Sequence, residues 1–384
     1  MDLSLTDEQR MLADSVRGVF AGADGDPTTG AEAPEGALEF RRDLWNRAAE
    51  LGVTALVVDE EYGGAGAGVG EAYAAAGALG ELAAPEQLTD LAYVPAWLLQ
   101  DLATGDQKAA WLPPLAAGEK LITLAHAEPG TGWTDPRTTG VTDGRISGEK
   151  RAVAAPGDMD AFLVTAVEDG TPGVYLVHAG DGVDVTVHRD AEWAHTGRVT
   201  FRDAPAERLG AGTGDADRAL RRAVALARVV QGGRAVGLMG TAMDQTAEYL
   251  KVRKQFGVTL NSFQVLKHRA AQLYADVELA RSTALWAAAM AQTEGLSLEE
   301  LETAALDSFV FLARQARVVA EESVQLHGGI GVTYETAVSH YAAALTGFRQ
   351  LYGGELEARG AGVASGALTE TPSALLDNAL HTYS

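Results

Sequence analysis

The sequence predicts an α+β protein with a helical N-terminal domain, a small antiparallel β domain and a C-terminal antiparallel four-helix bundle. Three observations carry this. Apolar residues recur at i, i+3, i+4 spacing through much of the chain up to about residue 118. Between Leu121 and Ala206 the pattern changes to short β-branched runs separated by Gly, Asp and Pro turns. From Ala216 onward helical periodicity returns and stays. A chain of 384 residues is long enough for two or three packed units, and we place the boundaries at 1–120, 121–207 and 208–384.

The first helix is announced by Thr6 and Gln9, a capping box ahead of Met11, Leu12, Val16 and Val19 on one face. A second carries Phe40, Leu44, Trp45 and Ala48 and stops at Gly52. Ala-rich stretches at 71–83 and 93–103 follow, where small side chains let helices approach closely. Gly64, Gly66, Gly68 and Gly70 do not have the spacing of a dinucleotide fingerprint and read as a loop entering a tightly packed helix. In the middle segment, strands are expected at 161–164, 173–177 and 183–187. Beyond it, Leu226, Val229, Val230, Gly233, Val236, Gly240 and Met243 lie along one face of a long helix, and further helices are expected at 262–292, 298–326 and 334–352. The tail after Ala361 is rich in Gly, Ser and Thr and is expected to be loosely held.

Composition narrows the function. There are 30 Lys plus Arg against 53 Asp plus Glu, a formal charge of −23, so non-specific attraction to nucleic acid or an anionic membrane is not expected, and an anionic ligand needs a local cluster of donors. With no cysteine, disulfides, thiolate metal sites and iron–sulfur clusters are excluded, and redox chemistry would need a bound organic cofactor. The eight histidines form no metal-binding spacing. The N-terminal residues lack signal-peptide order and no apolar run approaches the ~18 residues of a membrane span, so a cytoplasmic protein is expected.

Two segments carry candidate chemistry. One is Arg253-Lys254-Gln255-Phe256-Gly257, followed by Gln264 eleven positions after Arg253; the other is Gln325-Leu326-His327-Gly328-Gly329-Ile330-Gly331. An Arg offers a planar fork to a pyrophosphate, and a Gly-Gly turn at a helix end lets backbone N–H groups approach an anion without Cβ interference. Each segment alone is more readily a salt-bridged helix end or a plain inter-helix turn, because such pieces are common, and Phe256 is equally compatible with simple core packing.

In this order within a long-helix bundle, the two segments resemble the flavin-binding signature of the acyl-CoA dehydrogenase family: R-x-x-F-G, a downstream F-Q, and Q-x-x-G-G. The resemblance extends to Leu56–Gly64, Ala127-Glu128-Pro129-Gly130-Thr131-Gly132 and Ser147-Gly148-Glu149-Lys150. It implies FAD as cofactor, held across a subunit interface, with Arg253, Phe256, Gln264, Gln325, Gly328 and Gly329 as its contacts to a flavin whose ring sits in the neighbour. The implied substrate is an acyl-CoA or acyl-carrier thioester.

The pattern then fails where the family does its chemistry. Family members take the acyl α-proton with a Glu, a carboxylate that must be ionised, desolvated and raised in pKa. The position implied for it is Gly353 in Leu351-Tyr352-Gly353-Gly354, and the alternative position, 26 residues before Arg253, is Ala227. Neither can accept a proton. The hydroxyl and aromatic contacts expected around a flavin ring are replaced by Ala127, Ala152 and Ala154. Two weaker candidates remain. Glu355 lies two positions beyond Gly353, roughly 200° around a helix, and also suits a helix start where the dipole favours a carboxylate. His327 could titrate near neutrality but also suits a packing or second-layer hydrogen-bonding role.

The chain therefore resembles the base-lacking subunit of actinobacterial heteromeric acyl-CoA dehydrogenases, which act on bulky thioesters such as steroid side chains. That resemblance implies an oxidoreductase of lipid metabolism, inactive alone, in a heterotetramer with a paralogous subunit that supplies the Glu. Two readings stand beside it: a homomeric enzyme of secondary metabolism repurposed from the same fold, and a scaffold without flavin.

Overall fold

The computed structural model describes residues 4–21, 40–84, 87–192, 194–210 and 216–364. The N-terminal part is helical: α1 (Asp7–Phe20), α2 (Arg42–Glu50), α3 (Val69–Glu81), α4 (Val94–Leu102) and α5 (Gly105–Ala116). Thr6 caps α1 reciprocally with Gln9, the Gln9 N–H donating to the Thr6 hydroxyl (3.1 Å) and the Thr6 N–H to the Gln9 amide oxygen (3.1 Å). Thr104 and Gln107 repeat the device at α5. Gly64, Gly66 and Gly68 lie in the expected loop into α3, while Gly70 is already inside that helix, and α2 ends just before Gly52, which takes φ +74°.

The middle segment forms one sheet of β1 (Ile122–Ala125), β2 (Gly140–Thr142), β3 (Arg145–Ala154), β4 (Ala161–Glu168), β5 (Thr171–His178), β6 (Val183–Arg189), β7 (His195–Pro205) and β8 (Glu207–Arg208). Its order is β6-β7-β3-β2-β4-β5-β8, with β1 also on β4. Most pairs are antiparallel, as expected; the refinement is that β1 and β2 both run parallel to β4. The chain leaves β1 and returns through the β2–β3 hairpin before reaching β4, a connection long enough to permit a parallel pairing.

The sheet is anchored by a buried ion pair. Lys150 on β3 donates to Glu128 at 2.6 Å, with both side chains essentially inaccessible at 0% and 1% exposure. Burial alone would raise the Glu128 carboxyl, but donors from Lys150, Thr139 and Thr138 hold it below its ordinary range. Burial lowers Lys150 to about 8, against the pull of Glu128, so the pair stays ionic at neutral pH. Lys150 also reaches the His126 carbonyl (3.1 Å), and the carboxylate receives the Thr138 and Thr139 N–H groups (2.6 and 3.0 Å). The 126–139 loop is thus folded around one carboxylate.

The C-terminal part contains α6 (Ala216–Val252), α7 (Gln264–Ala291), α8 (Leu298–His327), α9 (Val338–Phe348) and α10 (Gly354–Ala364), with a small hairpin, β9 (Lys254–Gln255) and β10 (Val258–Thr259), between α6 and α7. α6 crosses α3 at backbone contact: a Cβ on Gly80 would overlap the Arg234 carbonyl, and one on Gly237 the Gly77 carbonyl. The helix expected over 334–352 is shorter at both ends, beginning only at Val338. α9 ends at Phe348, and Tyr352 (φ 50°), Gly353 (φ 93°) and Gly354 (φ 79°) turn through left-handed backbone before α10 begins. α10 continues past Ala361 to Ala364, and the rest of the tail lies outside the described residues.

Because removing one partner leaves the other charge buried and unpaired, Lys150→Met should cost about 3–5 kcal/mol of stability. Urea unfolding followed by circular dichroism measures it. A loss under about 1 kcal/mol, the range of exposed pairs, would show that the ion pair is not an anchor.

Candidate functional site

The arginine segment leaves the body of the bundle as the β9–β10 hairpin. The last turn of α6 closes with the Arg253 N–H on the Tyr249 carbonyl (2.9 Å), and the Arg253 carbonyl accepts from Leu260 (2.8 Å). Phe256 (φ 53°) and Gly257 (φ 83°) form the two-residue tip, where both central residues must take positive φ. Core packing of Phe256 is excluded: it is 91% exposed, with its ring edge-to-face to Phe263 at a centroid distance of 6.2 Å. Residues 251–258 are all exposed, and Gln264, which opens α7, is exposed too. From Tyr249 to Arg269 the sequence holds five Lys or Arg and no Asp or Glu, the local cluster of donors that a strongly acidic chain needs to attract an anion.

The glycine turn stands beside this hairpin at the end of α8. Gln325, Gly328 and Gly329 are exposed, Gly328 takes φ 67°, and a Cβ on Gly328 or Gly329 would meet nothing within 4 Å. His327 is buried, its Nδ1 on the Ser323 carbonyl at 2.8 Å, and its ring stacks on Tyr249 of α6 (4.4 Å, 23°). Burial lowers its pKa. The ring is a packing element between two helix ends.

The two positions without a base meet at a different place. Ala227 is fully buried on α6, and its neighbour Arg228 donates to the Tyr352 carbonyl at 2.9 Å, next to Gly353. The space in front of Gly353 is occupied: a Cβ there would lie 2.7 Å from the Trp133 Cβ and 2.9 Å from Glu357 Oε2. Trp133 donates its N–H to that carboxylate at 2.6 Å, packs against His126 with ring centroids 4.4 Å apart at a tilt of 51°, and meets Tyr352 edge-on at 5.8 Å. His126, lowered to about 3 mainly by burial, is neutral, with its Nε2 on the Trp133 carbonyl (2.8 Å) and Nδ1 on Thr165 (2.9 Å). Tyr352 donates to Asp90 at 3.0 Å. Glu355 points away, paired with Arg349 (2.8 Å) and Arg359 (3.7 Å). Ala127 and Ala152 lie close together, the Ala127 carbonyl accepting from Arg151 (2.9 Å), and Ala152 sits at φ 49° in a β3 bulge.

Along α6, Ala227 and Arg253 are 26 residues apart, roughly 39 Å at 1.5 Å per residue. The Arg253 end and the Ala227–Gly353 region therefore form separate clusters.

Family models place this arrangement. Residues 6–119 match the acyl-CoA dehydrogenase N-terminal domain and residues 216–367 the acyl-CoA dehydrogenase C-terminal domain. The chain is 30% identical over 308 residues to acyl-CoA dehydrogenase FadE27 of Mycobacterium tuberculosis, covering 79% of this chain and 82% of that one. The chain belongs to the acyl-CoA dehydrogenase family. It is also 29% identical to FadE28 of the same organism, over 92% of this chain and 96% of that one. Among solved structures it is similar to the ChsE4–ChsE5 complex of Mycobacterium tuberculosis, with a TM-score of 0.83, 26% identity, and coverage of 97% of this chain and 100% of that one. A Tcur3481–Tcur3483 steroid acyl-CoA dehydrogenase superposes with a TM-score of 0.82 at 27% identity, covering 95% of this chain and 100% of that one.

Membership of the acyl-CoA dehydrogenase family implies FAD. The hairpin end suits part of it: the Arg253 guanidinium makes no ion pair among the described residues, and the Gly328–Gly329 backbone faces open space. Among those residues no three His, Asp or Glu are grouped to hold a metal, and no helix is long and apolar enough to cross a membrane.

Sequence reasoning missed Trp133, Glu357 and Asp90. Trp133 follows directly on the matched Ala127–Gly132 segment, and Glu357 lies four residues after Gly353, one helical turn rather than the half-turn of Glu355. Those offsets were the available signals. Asp90 sits in a π-helical turn, Thr89–Tyr93, ahead of α4, and nothing local marked it.

Burial raises the Asp90 carboxyl to about 6, against the opposing hydrogen bond from Tyr352. An acid whose folded pKa is raised favours folding while protonated, and that advantage is lost as pH rises from the unfolded value near 4 through 6. Asp90→Asn, which can still accept from Tyr352, should therefore gain in melting temperature relative to the parent as pH goes from 5 to 7.5. A constant difference across that range would show that Asp90 titrates normally.

Proposed function

We propose that this chain is the base-lacking subunit of a two-gene acyl-CoA dehydrogenase, working only beside a paralogous partner on a bulky acyl thioester. The observation that carries this is the filled space at Gly353. A missing base could be a single substitution, but here Trp133 and Glu357 stand where a side chain at 353 would begin. The similarity to a steroid acyl-CoA dehydrogenase and to the ChsE4–ChsE5 complex supports both a partner and a bulky acyl group.

In this reading each cluster on α6 belongs to a different site. Arg253 binds the pyrophosphate with its planar fork, Gly328 and Gly329 present backbone N–H groups, and Phe256, Gln264 and Gln325 line the approach. The partner holds the ring, the thioester and the Glu. FAD, when bound, supplies the acceptor for the hydride from the β-carbon. Two protomers of each kind form a dimer of dimers in the cytoplasm.

The purified chain alone, offered a panel of acyl-CoA thioesters and an artificial electron acceptor, should show no dehydrogenation. Turnover by the pure chain would overturn the reading in favour of a homomeric enzyme. One observation favours that second reading: the Glu357 carboxylate is the acidic group that reaches the space before Gly353. In that case Glu357→Gln should abolish the activity.

In the assembled complex, Arg253→Ala should lower flavin content, since a charge-assisted bond to phosphate is worth roughly 1.5–3 kcal/mol. The check is the flavin-to-protein absorbance ratio after gel filtration. Unchanged flavin would remove Arg253 from the site.

A further inference from the structure

The two halves of the proposed pyrophosphate cradle lie on different helices, and one contact joins them. Tyr249 stands one turn before Arg253 and is bonded to it through the backbone, its carbonyl accepting the Arg253 N–H at 2.9 Å. His327 is the last residue of α8, immediately before Gly328. Their rings stack at 4.4 Å and 23°, close to parallel. The stack therefore spans from the residue that fixes the arginine's helical turn to the residue that begins the glycine turn.

The His327 ring is itself held rigidly. Nδ1 lies 2.8 Å from the Ser323 carbonyl, one turn back on α8, so in the neutral ring Nδ1 carries the proton and donates it. The glycine turn then folds back onto the same residue. A Cβ on Gly331 would come within 2.6 Å of the Val324 carbonyl and 2.9 Å of the His327 Cβ. The histidine thus fixes the turn from inside while its face fixes α6.

We propose that Tyr249 and His327 are a positioning pair that sets the spacing between Arg253 and the Gly328–Gly329 backbone, and so determines how tightly the chain holds the pyrophosphate of a dinucleotide. Neither ring needs to touch the ligand. The Tyr249 hydroxyl plays no part in the stack, and the role belongs to the ring faces. This inference rests on the reading of Arg253 and the glycine turn as a dinucleotide cradle.

The test titrates FAD, and separately ADP, into the chain in the assembly in which it purifies, and compares variants. Tyr249→Ala, and His327→Asn, which keeps a donor for the Ser323 carbonyl but removes the ring, should each weaken binding by roughly 3- to 10-fold, the range an aromatic pair contributes. Tyr249→Phe should restore binding to within about twofold, because it keeps the face. Melting temperatures without ligand separate this from a general loss of stability: Tyr249→Ala should lose affinity even in buffer cold enough to keep it fully folded. Arg253→Ala serves as the reference. If it weakens binding while Tyr249→Ala and His327→Asn do not, the positioning role falls and the cradle stands. If Tyr249→Phe binds as poorly as Tyr249→Ala, the hydroxyl rather than the stack is responsible and the inference is wrong. If no variant, Arg253→Ala included, changes binding, the cradle and the inference fall together.

Discussion

The length and rigidity of α6 govern the rest of the molecule. A helix of 37 residues carries at one end a basic, exposed hairpin and, 26 residues earlier, a buried wall facing Tyr352 and Gly353. Its middle is clamped: Gly80 and Gly237 let α3 and α6 meet at backbone contact, and Arg234 pairs with Glu192 at 2.5 Å, with both nearly inaccessible. A dinucleotide laid on one end cannot be served by residues at the other. The two clusters are too far apart to serve one site, which supports the proposed reading in which the arginine end works with a second subunit while the other region is closed.

Closure of the second cluster follows from its packing. Glu128 gathers Lys150 and the backbone of 138 and 139, which fixes the loop that carries Trp133. His126, kept neutral by burial, holds the Trp133 carbonyl, and Glu357 takes its N–H. Every polar group of Trp133's backbone is thereby satisfied inside the protein, and the ring is left between His126 and Tyr352. Opening this space for a flavin ring and a thioester would break several such bonds at once. The cluster is packed as a filled core, which supports the proposed reading that this chain carries neither the base nor the ring contacts.

Much of this was legible because it is local. The capping box of Thr6 and Gln9, the stop near Gly52, the strands from Ala161 and Gly173, and the helices from 264 and 298 each follow from residues within one or two turns of one another. The Arg253–Gly257 segment and the glycine turn were legible as ordered motifs, whereas the exposed hairpin that the first forms was not. What escaped depends on distant parts of the chain: Glu357 meets Trp133 across 224 positions, and Tyr352 meets Asp90 across 262. The break after Phe348 escaped for a different reason. Tyr352 is a non-glycine residue in left-handed backbone, held there by Arg228 on its carbonyl and Asp90 on its hydroxyl, so tertiary contacts override the helical pattern of 334–352.

The hairpin tip presents the reverse situation, strain without local compensation. Phe256 takes φ 53°, uncommon for a bulky residue, and leaves its ring 91% exposed near exposed Val252 and Val258. Within this chain the tip is supported by the two-residue ladder of β9 and β10 and by the edge of Phe263. A conformation of that kind persists where the surrounding assembly over-determines it. The exposed apolar tip and the cations beside it on an otherwise acidic chain are complementary to a surface that is apolar and carries negative charge. In the proposed complex a FAD shared with a neighbouring subunit would present both, its pyrophosphate the charge and its aromatic rings the apolar face, to Arg253 and Phe256 on the projecting turn.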